Sequence, residues 1–307
     1  MPRNAVVGVD ASSAGPAAAH WAAAEALRRG TGLDVVHATR RPVPHAPADG
    51  VRQDPAERTV QEAVHRVRAA HPGLRITGRV VPDAPVAALV AEAAEAELLV
   101  LGSHGVSGVG GFVTGSVSQR VVARSSCPVV LVRPGWSAAQ EHLPAADGVA
   151  PEEIPRTPCR DVVLGLDIRH PCDELIEFAL DAARRRGAGL RVVHAFRALS
   201  RPVLDASLIT APAAPPAPVA AADGLAAEER AVTAVLAPWC AKYPTVRVTR
   251  TVTRGRAAAA LVRAARDAGL LVVGRRTGGG RLGAHTGPVT HAVLHHVACP
   301  VAVIPHA

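Results

Sequence analysis

The chain of 307 residues contains few aromatic side chains: three Phe, three Trp and one Tyr. With so few rings, the sequence does not offer the stacking surfaces on which proteins bind single-stranded nucleic acid. The formal net charge of +8 attracts polyanions, but the arginines are spread over helical segments such as "ALRRG" and "AARRRG". This pattern predicts a solvated, arginine-rich surface and disfavours nucleic acid as a partner.

The sequence also lacks a targeting segment at its start and an unbroken apolar run of about 18 residues, so no membrane partner is expected. Its five cysteines, an odd number without a CxxC pair, indicate neither a disulfide framework nor a zinc site. The only lysine is Lys242, which excludes a P-loop. We therefore expect a cytoplasmic protein with no metal site, in which the cysteines are small buried residues.

The same unit occurs twice along the chain. "AVVGVDAS" and "DVVLGLDI" each indicate a buried strand that runs into a polar turn, and they place Asp10 and Asp167 157 residues apart. Further along, the offset grows to 172, as between Gly102 and Gly274, so the second copy carries a 15-residue insertion. The segment from Ala206 to Gly224 is rich in Pro and Ala, and we predict that it forms a mobile surface loop around this insertion.

Each copy alternates continuously apolar strands with amphipathic helices, which is typical of a parallel sheet covered on both faces. We predict an α/β protein of two tandem, doubly wound domains, residues 1–134 and 159–307. Residues 135–158, with their Pro, Gly and acidic content, form the linker. Two like domains on one tether are expected to pair with each other as a pseudo-dimer.

One glycine-rich stretch, "GSHGVSGVGGFVTGS" at residues 102–116, directly follows a buried strand and precedes a short helical pattern. In such a strand, loop and helix arrangement, backbone N–H groups at the helix start bind phosphate. Glycine permits positive φ angles and close approach of the backbone to a ligand. The glycines at 102, 108, 111 and 115 recur 172 residues later, which favours a shaped loop over a slack linker.

Gly102, Gly105, Gly115 and Ser116 follow the pattern G-x2-G-x9-G-[S/T]. With "VGVDAS" near the start and "CPVVLV" near the end, this spacing resembles the ATP-binding class of the universal stress protein family. The resemblance covers both halves, so the chain looks like a tandem member of that family. It implies a five-stranded, Rossmann-like parallel sheet in each half, with nucleotide at the carboxyl ends of the strands.

The resemblance also implies which residues contact ATP. Mg²⁺ could accompany the nucleotide and bridge its phosphates. Val9 and Asp10 would contact the ribose and adenine side, and Ala38 would meet adenine through its backbone. The phosphates would be surrounded by Gly102, Ser103, Gly105, Gly115, Ser116, Val117 and Ser118. Asp10 has an alternative role, because an Asp near a strand end also caps the next helix.

The second half departs from this pattern. Pro288 replaces Ser116 and brings neither N–H nor hydroxyl, and Thr277 stands where the first half has Gly105. Nearby arginines could substitute in part by charge, namely Arg275, Arg276 and Arg281. We expect the first domain to bind ATP, and the second to bind more weakly, differently or not at all. The second-half site would comprise Asp167, Ala195, Gly274, Arg275, Gly287, Val289 and Thr290.

No catalytic base or nucleophile is recognisable, so no catalytic residue is predicted, and activity beyond slow ATP hydrolysis or autophosphorylation is not expected. The interpretation is an ATP-binding stress protein that acts through nucleotide-dependent conformation or partner binding. The resemblance also suggests pairing through the terminal strands "VVLV" and "VAVI", and we expect a homodimer. Two alternatives stay open. One is an enzyme on the same scaffold, such as a nucleotidyl transferase, and the other is a nucleotide-free interaction module whose glycine loops only shape the fold.

Overall fold

A computed structural model describes residues 3–40, 54–103, 115–144, 157–197, 218–277 and 286–307. Strands and helices alternate through both halves of the chain. The strands are β1 (Ala5–Gly8), β2 (Leu33–Ala38), β3 (Ile76–Val81), β4 (Leu98–Gly102), β5 (Val129–Val132), β6 (Val162–Gly165), β7 (Leu190–Phe196), β8 (Val248–Arg254), β9 (Leu270–Arg276) and β10 (Val301–His306). The helices are α1 (Ala14–Arg29), α2 (Pro55–Ala70), α3 (Pro85–Glu95), α4 (Ser116–Arg124), α5 (Asp173–Arg186), α6 (Pro218–Lys242), α7 (Ala257–Ala264) and α8 (Pro288–His296).

The ends of α1 and α5 illustrate how the repeat determines local structure. Both helices stop at a glycine in the left-handed conformation, Gly30 with φ 68° and Gly187 with φ 59°. These glycines are 157 residues apart, and each accepts the positive φ that a side chain would resist. The two copies therefore end their first helix by the same mechanism.

All ten strands that the structure describes belong to one sheet, in the order β3-β2-β1-β4-β5-β10-β9-β6-β7-β8. Every pairing inside a half is parallel. This confirms the predicted α/β fold of two five-stranded, doubly wound sheets. The halves meet at β5 and β10, which pair antiparallel.

The pairing of β5 with β10 places equivalent positions of the two copies opposite each other. Val130 faces Ala302, and these residues are 172 positions apart. A pseudo-two-fold axis therefore passes between them, and the domain pairing expected from the duplication occurs within the chain. Since β5 and β10 are used in this way, the predicted homodimer would need a different surface.

Helices cover both faces of the continuous sheet. Val7 and Val100 belong to the apolar layer that packs against α1, α2, α5 and α6. Val6 and Leu99, one position earlier on each strand, belong to the layer under α3, α4, α7 and α8. This alternation follows from the two-residue period of a strand and explains why the strands are apolar throughout.

The helices α1 and α5 meet near the axis and bury a cluster of charged side chains. Arg186, with a fully buried side chain, donates to Glu25 Oε2 at 2.7 Å and to Glu141 Oε1 at 3.0 Å. Arg29 donates to Glu25 Oε1 at 2.7 Å. The expectation of a solvated arginine surface is wrong for Arg29 and Arg186, because carboxylates pair them inside the interface.

Two aromatic rings complete this interface in a reciprocal way. The guanidinium of Arg186 lies 5.8 Å from the ring centroid of Trp21, and that of Arg29 lies 5.2 Å from the ring centroid of Phe178. Trp21 and Phe178 are 157 residues apart, as are Arg29 and Arg186. Each half thus places an arginine over the aromatic ring of the other half, in cation–π geometry.

Two segments differ from their expected character. Residues 218–224 belong to α6, so the predicted mobile loop is wrong for that part, and residues 206–217 lie outside the described chain. In the linker, Trp136 and Glu141 are buried, and Glu141 ends a short 3-10 helix, Ala138–Glu141. The linker contributes to the interface because the Glu141 carboxylate supplies a second negative charge to a cluster that buries Arg186.

The charged cluster predicts a pH dependence of stability. Burial opposes ionisation of Glu25, but Arg186, Arg29 and Arg28 together lower its pKa from 4.5 to about 2. A carboxyl whose pKa is depressed by folding stabilises the fold above its unfolded-state pKa and loses that contribution as the pH falls towards 2. We expect Glu25→Gln to lower the free energy of unfolding by about 3 kcal/mol at pH 7.

Urea unfolding of both proteins between pH 7 and pH 2 measures this difference, which should shrink as the pH falls below about 4.5. Glu62→Gln is the matched control, because Glu62 forms an exposed pair on α2 and should contribute little. A difference between wild type and Glu25→Gln that stayed constant with pH would contradict the assignment.

Candidate functional site

A cavity of about 380 Å³ opens at the carboxyl ends of β1, β2 and β4, between α3 and the start of α4. This edge is where open α/β sheets bind their ligands. The cavity includes eight of the ten positions predicted for the first half. It is lined by Gly8, Val9, Asp10, Val36, His37, Ala38, Pro85, Leu89, Leu101, Gly102, Gly115, Ser116, Val117 and Ser118.

The cavity has an apolar side and a polar side. Val36, Pro85, Leu89 and Leu101 form the apolar side and were not predicted as site residues. The recurrence of Leu89 as Leu261, 172 residues later, was the signal that could have found it. Such a wall suits a flat, weakly polar group, because contact between the two removes apolar surface of the ligand and of the protein from water, which is favourable.

The polar side is formed by the first turn of α4. Gly115 is the N-cap residue, and among the described residues no side chain caps this end of the helix. The first N–H groups of a helix have no partner within it, and the helix dipole adds positive potential there. The start of α4 therefore presents donors suited to an anion.

Ser118 ties this turn to the sheet. Its hydroxyl donates to the carbonyl of Gly102 at 3.1 Å, and in the second half Thr290 donates to the carbonyl of Gly274 at 3.0 Å. The contact joins the start of the helix to the end of the preceding strand in both copies. Sequence reasoning assigned these hydroxyls to the ligand and missed the structural bond.

Gly102 is required by packing. A Cβ atom on Gly102 would lie 2.7 Å from the Cβ of Ala14, at the start of α1. Gly115 has φ −56°, so positive φ is not the reason for glycine there, whereas Gly287 has φ 37°. The shared glycines thus serve different physical needs at different positions.

Of the other two predicted first-half residues, one lies outside the cavity and one is not described. Ser103 is fully buried outside the cavity lining, its hydroxyl donating to the carbonyl of Val132 at 3.1 Å and accepting from Arg133 at 3.2 Å. A contact between this hydroxyl and phosphate would require these bonds to break. Ser103 therefore links the ends of β4 and β5 in this structure. Gly105 lies outside the described residues, together with the rest of the loop from 104 to 114.

Asp10 is exposed at the mouth of the cavity. Its Oδ1 accepts from the N–H of Ser12 at 3.1 Å and from the hydroxyl of Ser12, in the turn that leads into α1. This contact lies before the helix and is not the cap of α1 considered from the sequence, because Ser13 is the N-cap residue and, within the described chain, no side chain caps that helix. The lining position is compatible with a ligand role, since each carboxylate oxygen can accept more than one hydrogen bond.

Ala38 and Val9 lie at the ends of neighbouring strands on the cavity rim. Ala38 is the last residue of β2 and pairs with Val81 of β3. His37 fixes the ends of β1 and β2 relative to each other, because its Nδ1 lies 2.8 Å from the carbonyl oxygen of Val9. His194 makes the corresponding contact with Leu166 at 2.9 Å.

The second half arranges its equivalent residues differently. Asp167 accepts from the N–H of Arg169 at 3.1 Å, lies 3.2 Å from His170 Nδ1, and lies 3.5 Å from Arg276 Nη2. Burial opposes its ionisation, but the bonds from His170 and Arg169 and the charge of Arg276 lower the pKa of Asp167. A ligand at Asp167 would therefore compete with donors from its own chain.

The helix start differs as well, because Pro288 occupies the first position of α8 after Gly287. Ala195 lies on β7 and Val289 is half-buried in the first turn of α8. Arg275 is buried and donates to the carbonyl of Ser125, in the other half. This position contradicts the expectation that Arg275 supplies charge to the second-half site, because its guanidinium is engaged at the interface.

No metal cluster is evident in the part of the chain that the structure describes, and burial shifts the pKa of two of its cysteine thiols. No group of three or more His, Cys, Asp or Glu side chains there could hold a metal ion. Burial raises the pKa of Cys127 and raises that of Cys299 to about 12, which keeps both thiols protonated. Within the same residues, no helix is long and apolar enough to cross a membrane.

Comparisons with known proteins agree with the geometry. A model of the universal stress protein family matches residues 1–133 and 159–305. Universal stress protein Rv2005c of Mycobacterium tuberculosis is 35% identical over 312 residues, which cover 97% of this chain and 95% of that protein. Universal stress protein Rv2623 of the same organism is 31% identical over 313 residues, with the same coverage of 97% and 95%.

A solved structure that spans the whole chain has the same architecture. A universal stress protein from Archaeoglobus fulgidus has a TM-score of 0.61 at 14% identity, covering 100% of both chains. A universal stress protein solved in complex with cAMP is 33% identical and covers 44% of this chain and 100% of its own, with a TM-score of 0.34. With the family matched in both halves and relatives aligned along nearly the whole length, the chain belongs to the universal stress protein family, with two of its domains in tandem.

Proposed function

We propose that the first half binds ATP in the cavity at the carboxyl ends of β1, β2 and β4. The observation that carries the proposal is one cavity with an apolar wall at one side and the start of α4 at the other. Adenine would lie against Val36, Leu89 and Leu101. Asp10 would accept from ribose hydroxyls, and the N–H groups at the start of α4 would bind the phosphates.

The second half binds ATP more weakly or not at all under this proposal. Pro288 removes one N–H donor and one hydroxyl from the phosphate end, and Asp167 is already engaged by His170 and Arg276. One nucleotide per chain is the expected stoichiometry. Mg²⁺ would be held by the phosphates, since no cluster of ligating side chains occurs among the described residues.

Nucleotide occupancy would act by changing conformation or partner binding, in the cytoplasm where ATP is available. To test occupancy, the purified chain is denatured and the released small molecules are identified, with calorimetric titration by MgATP in parallel. Released adenine nucleotide, or one binding event per chain, supports the proposal. The absence of both would favour the interaction module, and multiple-turnover release of AMP and pyrophosphate would favour the transferase.

Equivalent aspartates in the two halves provide a matched pair of variants. We expect Asp10→Ala to raise the Kd for MgATP about tenfold or more, because a charge-assisted hydrogen bond contributes about 1.5–3 kcal/mol. Asp167→Ala should leave the Kd within about twofold of the wild-type value, because its carboxylate belongs to the other half. Isothermal titration calorimetry measures both. A larger loss in Asp167→Ala would mean that the second half is the binding site.

The two helix starts allow a reciprocal exchange. Ser116→Pro gives α4 the first residue of α8, and Gly115, with ψ 148°, already has the extended backbone that precedes proline. The fold should tolerate the change, while the loss of one N–H and one hydroxyl raises the Kd about tenfold or more.

Pro288→Ser is the counterpart, and it should leave binding by the first half unchanged. Thermal unfolding of each variant checks that the fold is retained. An unchanged Kd in a folded Ser116→Pro protein would contradict the placement of phosphate at the start of α4.

A further inference from the structure

Helix α4 connects the cavity to the interface between the halves. Its first turn lines the cavity, and its last residue is followed by Ser125, whose N–H donates to the carbonyl of Val121 at 2.8 Å. A helix of nine residues is about 13 Å long and moves as a rigid body. Whatever fixes Ser125 therefore also fixes the donors at the other end of α4.

Arg275 fixes that far end from the opposite half. It directly follows Gly274, is buried, and donates from Nη2 to the carbonyl oxygen of Ser125. The last carbonyl groups of a helix lack partners within it and carry partial negative charge, so a guanidinium is well suited to them. Burial lowers the pKa of Arg275 but leaves the guanidinium charged at neutral pH.

Arg133 makes the corresponding contact in the other direction. From the end of β5 it donates from Nε to the carbonyl of Val297 at 3.1 Å, and from Nη2 to the carbonyl of Leu294. Its Nη1 donates to the hydroxyl of Ser103 at 3.2 Å, next to Gly102 in the cavity wall. Arg133 thus joins the end of α8 to the strand on which the cavity is built.

The two contacts are equivalent although the two arginines are not. Val297 and Ser125 are 172 residues apart and cap the ends of α8 and α4, whereas Arg133 corresponds to Pro305 and Arg275 to Ser103. Each half therefore holds the end of the other half's last helix by an arginine that arose at a different position. In both copies, the end of the last helix is held by a guanidinium from the opposite half.

We propose that Arg275, in the second half, and Arg133 are positioning residues for nucleotide binding in the first half, an inference that rests on the proposed function. Arg275 holds the end of α4. Arg133 holds Ser103, which follows Gly102 at the end of β4, and Gly102 accepts the hydrogen bond from Ser118 in the first turn of α4. A fixed α4 presents its N–H groups to the phosphates without an ordering cost on binding. Occupancy of the cavity should in turn stabilise the contact between the halves.

The test is the affinity for MgATP of the full chain carrying Arg275→Met, which removes the guanidinium but keeps an apolar side chain of similar length. We expect the Kd to rise about tenfold, within the usual range of coupling between sites. Arg275→Lys keeps a charged donor, and its affinity for MgATP should fall about threefold. This variant replaces Arg275→Met in the test if the Met variant does not fold. Arg263→Met is the matched control, because Arg263 is an exposed arginine of the same half.

Glu141→Gln separates positioning from general loss of stability. It disrupts the interface on the α1 and α5 side and should lower Tm without raising the Kd more than about twofold. Hydrogen exchange adds a direct readout, since MgATP should protect the Ser125 amide in the wild type and protect it less in Arg275→Met.

The outcomes distinguish the two proposals. If the wild type binds MgATP and the folded variants Arg275→Met and Arg275→Lys bind it equally well, the positioning role is overturned and the proposed ATP binding stands. Equal weakening by Arg275→Met and Glu141→Gln also overturns it, because destabilisation would then explain both. If the wild type binds no MgATP, the proposed function fails and the positioning role fails with it.

Discussion

The antiparallel pairing of β5 and β10 is the constraint on which the rest of the structure depends. A five-stranded parallel sheet that ends at its fifth strand leaves backbone N–H and C=O groups unpaired along that edge. Placing Val130 opposite Ala302 satisfies both edges and imposes a pseudo-two-fold axis. The axis brings α1 to α5 on one face of the sheet. On the other face it brings α4 close to α8, where Gln119 contacts His295 at 3.2 Å.

The two faces of the sheet have developed different interfaces around this axis. On the α1 and α5 side, buried carboxylates and guanidinium groups are paired, and Trp21 and Phe178 keep the reciprocal cation–π contact. A buried cluster of this kind requires full pairing, since removing one charge leaves its partner unpaired in a medium that solvates it poorly. On the α4 and α8 side, a single arginine binds the end of each helix. Helix α4 therefore connects the interface, at its last turn, to the cavity, at its first turn.

Duplication followed by divergence explains why the halves share a shape and differ at the site. Positions that pack against a neighbour have kept their chemistry, as Ser118 and Thr290 show by the same bond to a strand carbonyl. At the start of the last helix the copies differ, as Ser116 and Pro288 show, although most other residues that line the cavity recur in the second half. Proline is compatible with the first turn of a helix, so the second half keeps the fold although its helix start has fewer donors.

The sequence by itself determined the repeat, the alternation of strands and helices, the parallel order within each half and the place of the cavity. The repeat and the parallel sheets follow from local periodicity and from the common edge at which parallel strands end, whereas the choice of Asp10 and Ala38, which line the cavity, came from the resemblance to the family. Only the tertiary structure decided which arginines are buried, why Gly102 must be glycine, and where Ser103 and Arg275 point. The physical reason is that each of these depends on a surface contributed by a distant segment. Helical periodicity gives Arg29 and Arg186 a face of their helices, but it does not specify that the face meets Glu25, Glu141 and an aromatic ring of the other half.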